Sequence, residues 1–268
     1  MPAIARVPNL TSLSRLSRLS RGELESLLRL RKLDHTLTSA LPPDLSARWL
    51  IPVGLPDLDA RLQGGIPRGH LSEFVGPRSS GRFAVVLSAL AGATMRGEAV
   101  ALVDPLDLFD PASAAASGID FSRMLWIRGE AARAARVSLS CEYGTLQKSI
   151  DKAVKALNLV LQAGGFSLVV FDLADVSPHV LRRIPPTTWL RLHRVIEGSD
   201  TACVLMGPQP IARSAGGVTV RLERATGSGL QALGPTRSEA PAIHARVVRA
   251  RHMESDRDVC VPVSAAAC

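Results

Sequence analysis

Apolar residues along this chain fall into two patterns. Short uninterrupted runs at Ala99–Val103, Met124–Ile127, Phe166–Phe171 and Ala202–Met206 read as strands buried on both faces, with Leu71–Val75 as a fifth. Between them, apolar positions recur at threes and fours. Leu55–Leu62 predicts a short helix ending at Gly64-Gly65, and Phe83–Met95 a longer one. Leu146, Ile150, Val154, Leu157 and Leu161 line one face of a third helix. Lys148, Asp151, Lys152 and Lys155 fill its other side, and Gly164-Gly165 stops it. Strands alternating with helices predict an α/β fold with a mostly parallel sheet flanked by helices. Val218–Leu222 and Ile243–Val248 alternate apolar with polar, as half-exposed antiparallel strands toward the C-terminus do.

The ends read differently. Ser14-Arg15-Leu16, Ser17-Arg18-Leu19 and Ser20-Arg21 form a three-residue near-repeat, and no acidic residue precedes Glu23. A transit peptide shares that composition; a basic arm that orders on a partner is the reading adopted. Glu23–Leu33 carries Leu24, Leu27, Leu28 and Leu30 on one helical face, serving either core packing or docking between protomers. Pro42-Pro43 breaks the chain before the core. The division is thus a basic arm over 1–45, a core over 46–250 and a flexible tail over 251–268.

The densest chemical signal is Gly76-Pro77-Arg78-Ser79-Ser80-Gly81-Arg82-Phe83, preceded by a short strand and followed by a helix. Glycines at the first and sixth positions match the phosphate-binding pattern G-x-x-x-x-G-K-[ST], whose backbone N–H groups and helix N-terminus cradle phosphate. Two parts differ. The lysine that would reach the β- and γ-phosphates is Arg82, a planar fork instead of a point charge. The hydroxyl that would ligate Mg²⁺ is Phe83, which coordinates nothing. Asp172, closing the apolar run Phe166–Phe171, has the form of a Walker B carboxylate.

Gly64-Gly65-Ile66-Pro67-Arg68-Gly69 before this loop completes a pattern that resembles the RecA/RadA recombinase superfamily. Within it, the brevity and degeneracy of the chain look most like the ImuA family of RecA-related accessory proteins in bacterial translesion-synthesis cassettes. The resemblance spans roughly 47–250 and implies a RecA-like P-loop core. Ala101-Leu102-Val103-Asp104-Pro105-Leu106-Asp107 resembles the recombinase strand that carries the catalytic glutamate, and that glutamate falls on Leu106. Leucine neither accepts a proton nor orients water, and Asp107, one position on, turns away on an extended segment. Catalytic residues are therefore expected to be none, and ATP or ADP binding at most weak. The superfamily's DNA-binding loops correspond to Ser177–Thr188, with Arg182, Arg183 and nearby Trp189, and to Gln209–Gly217, with Arg213. The arginines are either phosphate contacts or solvated charges, and Trp189 is read as core packing. Partners implied by the resemblance are an ImuB-like Y-family polymerase homologue and its associated alternative replicative polymerase, with RecA and single-stranded DNA as further candidates. They place the protein in a bacterial cytoplasm at the nucleoid, in the DNA-damage response.

Composition narrows the alternatives. The 268 residues are 46% hydrophobic but 4% aromatic, so the core is aliphatic, and the net charge of +8 suits nucleic acid or an acidic partner. No apolar run reaches the roughly 18 residues that span a bilayer. Four cysteines and six histidines (His35, His70, His179, His193, His244, His252) show no metal-ligand spacing and no nucleophilic triad. Two enzyme-side alternatives stay open: a weak DNA-dependent ATPase or recombinase, and a nucleotide-sensing regulator without turnover.

Overall fold

The computed structural model describes residues 49–129, 143–212, 216–224, 242–250 and 258–262. The arm over 1–45, its helix at Glu23–Leu33 and Arg213 lie outside them.

Eight strands form the central sheet. In chain order they are β3 (Leu71–Val75), β4 (Val100–Asp104), β5 (Met124–Arg128), β6 (Leu168–Asp172), β7 (Ala202–Gly207), β8 (Thr219–Arg224), β9 (Ala242–Arg249) and β10 (Asp258–Pro262). Spatially the order is β10-β9-β8-β3-β7-β6-β4-β5. Every pair from β8 to β5 is parallel, and β9 and β10 add antiparallel. A separate two-stranded ribbon joins β1 (Leu50–Ile51) to β2 (Ile66–Pro67). The helices are α1 (Pro56–Arg61), α2 (Arg82–Met95), α3 (Pro111–Ala116), α4 (Tyr143–Ala163), α5 (Pro178–Leu181) and α6 (Pro186–Ile196).

Period-two alternation sorts the strand side chains into two apolar layers. Val100 and Leu102 of β4, Leu168 and Val170 of β6, and Ala202, Val204 and Met206 of β7 join α2 on one face. Ala101, Val103, Val169, Phe171, Cys203 and Leu205 meet α4, α5 and α6 on the other. Full enclosure pushes the Cys203 thiol up to about 12, so it acts as a small hydrophobe. Trp189 packs in this second layer, as read from the sequence. α2 is buried almost all round, Arg82 and Thr94 included, which explains its unbroken apolar sequence.

Val218–Leu222 and Ile243–Val248, read as antiparallel strands, do pair antiparallel as β8 and β9, while the other edge of β8 joins β3 in parallel. Two expectations change. Asp258–Pro262 fell in the flexible tail; it is β10, pairing Cys260 with His244, so the core runs past 250. Ser177–Thr188 was read as a mobile loop. Pro178 and Pro186 instead sit in the first turns of α5 and α6, where proline's missing N–H costs nothing, and Val180, Leu181 and Ile184 anchor the segment in the core.

Glu73, in the middle of β3, holds the centre together. Its Oε1 accepts from the N–H of Ile211 at 2.6 Å and of Ala212 at 2.8 Å, and Oε2 accepts from the Thr219 hydroxyl at 3.3 Å. Glu73→Ala strands those amides without a partner and is expected to cost about 2–4 kcal/mol in urea unfolding. A loss below about 0.5 kcal/mol would show that water replaces the carboxylate there.

Candidate functional site

Gly76–Gly81 links β3 to α2. A Cβ on Gly76 would lie 2.1 Å from the Leu222 carbonyl oxygen, and one on Gly81 2.1 Å from Ile243 Cδ1. The loop is thus wedged against β8 and β9, and only glycine fits there. Ser79 (φ 59°) and Gly81 (φ 83°) adopt left-handed backbone, which curls the loop. No side chain caps the N-terminus of α2.

Within the curl, Ser80 is 1% exposed and its hydroxyl has no hydrogen-bond partner among the described residues. Arg82, 6% exposed, folds inward, and its Nη1 donates to the Ala174 carbonyl at 3.3 Å. Burial lowers its pKa against the pull of Asp175 and Asp172. Arg78 stands 84% exposed, with its Nε 3.0 Å from Asp175 Oδ1. These residues, with Phe83, Leu87, Leu108, Asp172, Met206, Arg224 and Ile243, line a cavity of about 510 Å³. The predicted nucleotide-site residues Arg78 to Phe83 and Asp172 are therefore brought together, while Gly76 and Pro77 shape the loop behind them.

The end of β4 carries the positions that the resemblance compares with catalytic ones. Asp104 is 1% exposed, and its two oxygens accept the N–H groups of Leu108 (3.1 Å) and Phe109 (2.9 Å). The carboxylate fixes the following loop. Leu106 packs against the second apolar layer, and Asp107 stands in a left-handed turn (φ 54°), not on the extended segment expected, and accepts from Arg128 at 2.7 and 3.0 Å. Phe83 continues an aromatic chain: its ring centre is 6.0 Å from Phe109, Phe109 is 5.0 Å from Trp126, and the Arg128 guanidinium lies 4.2 Å over Trp126.

Mg²⁺, which a phosphate loop of this kind implies, does not fit these residues. Its hydroxyl ligand is an aromatic ring, Asp104 is saturated by backbone amides, and the described residues contain no cluster of three or more His, Cys, Asp or Glu able to hold a metal. Asp172 alone is left. Desolvation, with Asp104 and Asp175 nearby, pushes its carboxyl up to about 6, although its Oδ1 accepts the Ala174 N–H at 2.9 Å.

Of the candidate DNA contacts, Arg182 and Arg183 are exposed, at the end of α5 and just beyond. Gly216 and Gly217 do not form an open loop: a Cβ on either would collide with the His70 ring or the Leu71 carbonyl. One grouping escaped the sequence. His70, before β3, and His193, on α6, stand with Nδ1 and Nε2 3.3 Å apart, and burial lowers the His193 pKa. Sequence spacing carries no trace of a pair 123 positions apart.

Residues 50–137 match the RecA N-terminal domain family. This segment is similar to the RecA N-terminal domain. Protein RecA of Picosynechococcus is 40% identical over 75 residues, covering 28% of this chain and 22% of its own length. Protein RecA of Chlorobium chlorochromatii is 28% identical over 145 residues, covering 53% and 39%. The crystal structure of the RadB recombinase superposes with a TM-score of 0.54 at 15% identity, covering 80% of this chain and 96% of that one. This chain thus spans between about a fifth and two fifths of the RecA relatives. The likeness to RadB extends the RecA-like fold to the sheet beyond the matched segment.

Asp172 gives the RecA-like core a pH signature. Its raised pKa means its contribution to stability is complete below the ordinary 3.8 and is lost as pH rises through about 6, because the folded state must then hold a partly desolvated charge beside Asp104 and Asp175. Asp172→Asn keeps the oxygen for Ala174 and removes that charge. In urea it is expected to be about 1–3 kcal/mol more stable than the parent near pH 8, with the gap closing toward pH 4. A gap independent of pH would place the effect elsewhere.

Proposed function

We propose that this protein is a non-catalytic RecA-like accessory subunit of the DNA-damage response, of the ImuA type, supporting error-prone translesion synthesis in a bacterial cytoplasm. The observation that carries the reading is the state of Asp104: the carboxylate at the end of β4 is committed to two backbone amides. The position of the family's water-activating glutamate holds Leu106, half-buried against the second apolar layer. With Phe83 in place of the metal's hydroxyl, Asp172 is the one carboxylate of that set left to serve the cation that phosphoryl transfer needs. What persists is a shaped α/β surface, whose proposed partners are an ImuB-like Y-family polymerase homologue, the associated replicative polymerase, RecA and single-stranded DNA. Exposed Arg182 and Arg183 are the candidate phosphate contacts.

A second reading, nucleotide sensing without turnover, is favoured by the unpartnered Ser80 hydroxyl inside an intact loop curl. A weak DNA-dependent ATPase or recombinase is the remaining alternative.

The full chain is expected to turn over ATP more slowly than about 0.1 per second, with or without single-stranded DNA, well under the common range of about 1–1000. It should also bind a purified ImuB-like polymerase homologue. DNA-stimulated hydrolysis above that rate would favour the recombinase alternative, and failure to bind the homologue would remove the ImuA assignment.

A further inference from the structure

We propose that the outer face of the helical layer formed by α4 and α6 docks an acidic, leucine-bearing amphipathic helix of a partner protein. None of the residues of this face lines the glycine-loop cavity. The inference therefore stands whether or not the core turns over nucleotide.

α4 and α6 pack side by side on one face of the sheet. Ile150, Leu157 and Leu161 of α4 and Trp189, Leu192 and Ile196 of α6 are buried there. At 3.6 residues per turn, Lys148, Lys152, Lys155 and Leu159 share a stripe about a sixth of a turn wide, opposite that buried side. All four are exposed, Leu159 at 65%. On α6, Leu190 is 60% exposed, and exposed Arg194 stands one turn further along the same side. Leu159 lies about one turn before the end of α4 at Ala163, and Leu190 under two turns before the end of α6 at Ile196. Because the two helices lead into the neighbouring strands β6 and β7, both leucines stand at similar heights on the layer. A single exposed leucine needs no explanation. Two on adjoining helices, each turned from the core and flanked by cations, form a surface.

Its charge is one-sided. α4 and α6 carry three lysines and two arginines against the single acid Asp151, with Glu197 just past the end of α6. Asp151 accepts from the Gln147 side chain at 3.1 Å. Among the described residues, Lys148, Lys155 and Arg194 take no part in any ion pair. Like charges stacked three and four positions apart on a helix repel, and carboxylates laid over them relieve that repulsion.

The chemistry of the face selects its occupant. Residues 1–45 carry seven Lys and Arg against four Asp and Glu, and the whole chain has a net charge of +8. Repulsion therefore disfavours both the arm and a second copy. Nucleic acid would meet the lysines but leave the leucines in water, and the one aromatic side chain of α6, Trp189, is buried away from any base. A helix with acids and leucines satisfies both kinds of group. Lys148 to Leu159 extends about 16 Å along α4, three turns that a partner helix matches with carboxylates over lysines and apolar residues over leucines.

Fluorescence anisotropy of the full chain tests this with a labelled helical Glu/Ala peptide carrying leucines at i, i+3 and i+7. A leucine-free Glu/Ala peptide and single-stranded oligo-dT serve as competitors. The leucine peptide is expected to bind about tenfold more tightly than the leucine-free one, and to weaken severalfold as salt rises from about 50 to about 300 mM. Lys152→Glu with Lys155→Glu should weaken it about tenfold or more, and Leu159→Ser with Leu190→Ser severalfold. A peptide with Lys in place of Glu should bind the double-glutamate variant and not the parent, a gain that misfolding does not produce. Arg182→Ala with Arg183→Ala, at the candidate phosphate contacts, should alter peptide affinity by less than about twofold. No peptide binding, equal binding of the leucine-free peptide, or unchanged affinity in either of the first two double variants would each overturn the proposal. Displacement of the peptide by oligo-dT would do so too, and would assign the face to nucleic acid. Such a failure leaves the turnover-free reading standing, whereas ATP turnover removes that reading and not this one.

Discussion

A carboxylate enclosed in protein must be satisfied by donors, and Asp104 satisfies itself with the backbone of Leu108 and Phe109. The rest of the site follows from that arrangement. The loop after β4 folds back on its own strand end and delivers Phe109 between Phe83 and Trp126. Arg128 closes that aromatic bridge by stacking on Trp126 and pairing with Asp107. Phe83 thus has a structural partner that a serine or threonine would lack.

The two ends of the sheet behave as separate electrostatic environments. At the carboxyl ends of the strands, Asp172 and Asp175 line the cavity together with Arg78, Arg82 and Arg224, and Asp104 lies buried near Asp172. Each acid there is held by backbone or by an arginine, which limits their mutual repulsion. At the opposite end, His70 and His193 meet beside Gly216, and Arg68 pairs with Glu98 at 3.0 Å while donating to the Asp200 carbonyl at 2.6 Å. These contacts tie α6 and the turn after it to the entry of β3, so the base of the sheet is fixed by polar links as the middle is fixed by Glu73.

Much of this fold was legible because parallel strands enclosed on both faces leave continuous apolar runs. Ala99–Val103 and Phe166–Phe171 stood out for that reason, each within a residue or two of the strand found. The phosphate loop was legible because left-handed backbone and close strand contacts demand glycine at fixed spacing. Other features depend on information the linear pattern does not hold. Pro178 and Pro186 look alike as loop breakers and as helix starters, and only packing of Val180 and Ile184 decides between them. The direction of β8 depends on which strand receives it: Val220 alternates identically beside a parallel β3 or an antiparallel neighbour. The bond of Asp107 to Arg128 crosses 21 positions and had no local sign.

The contact between Gly76 and the Leu222 carbonyl bears on how such chains are recognised at all. The Leu222 carbonyl forbids a side chain at Gly76, and left-handed backbone disfavours one at Gly81 (φ 83°), so the sheet itself keeps both glycines whether or not any nucleotide visits the loop. Arg82 and Phe83 carry no such backbone constraint and are held instead by side-chain contacts with the Ala174 carbonyl and the Phe109 ring. A glycine signature of this kind therefore records a shape and, taken alone, says nothing of the chemistry at the two positions that follow it.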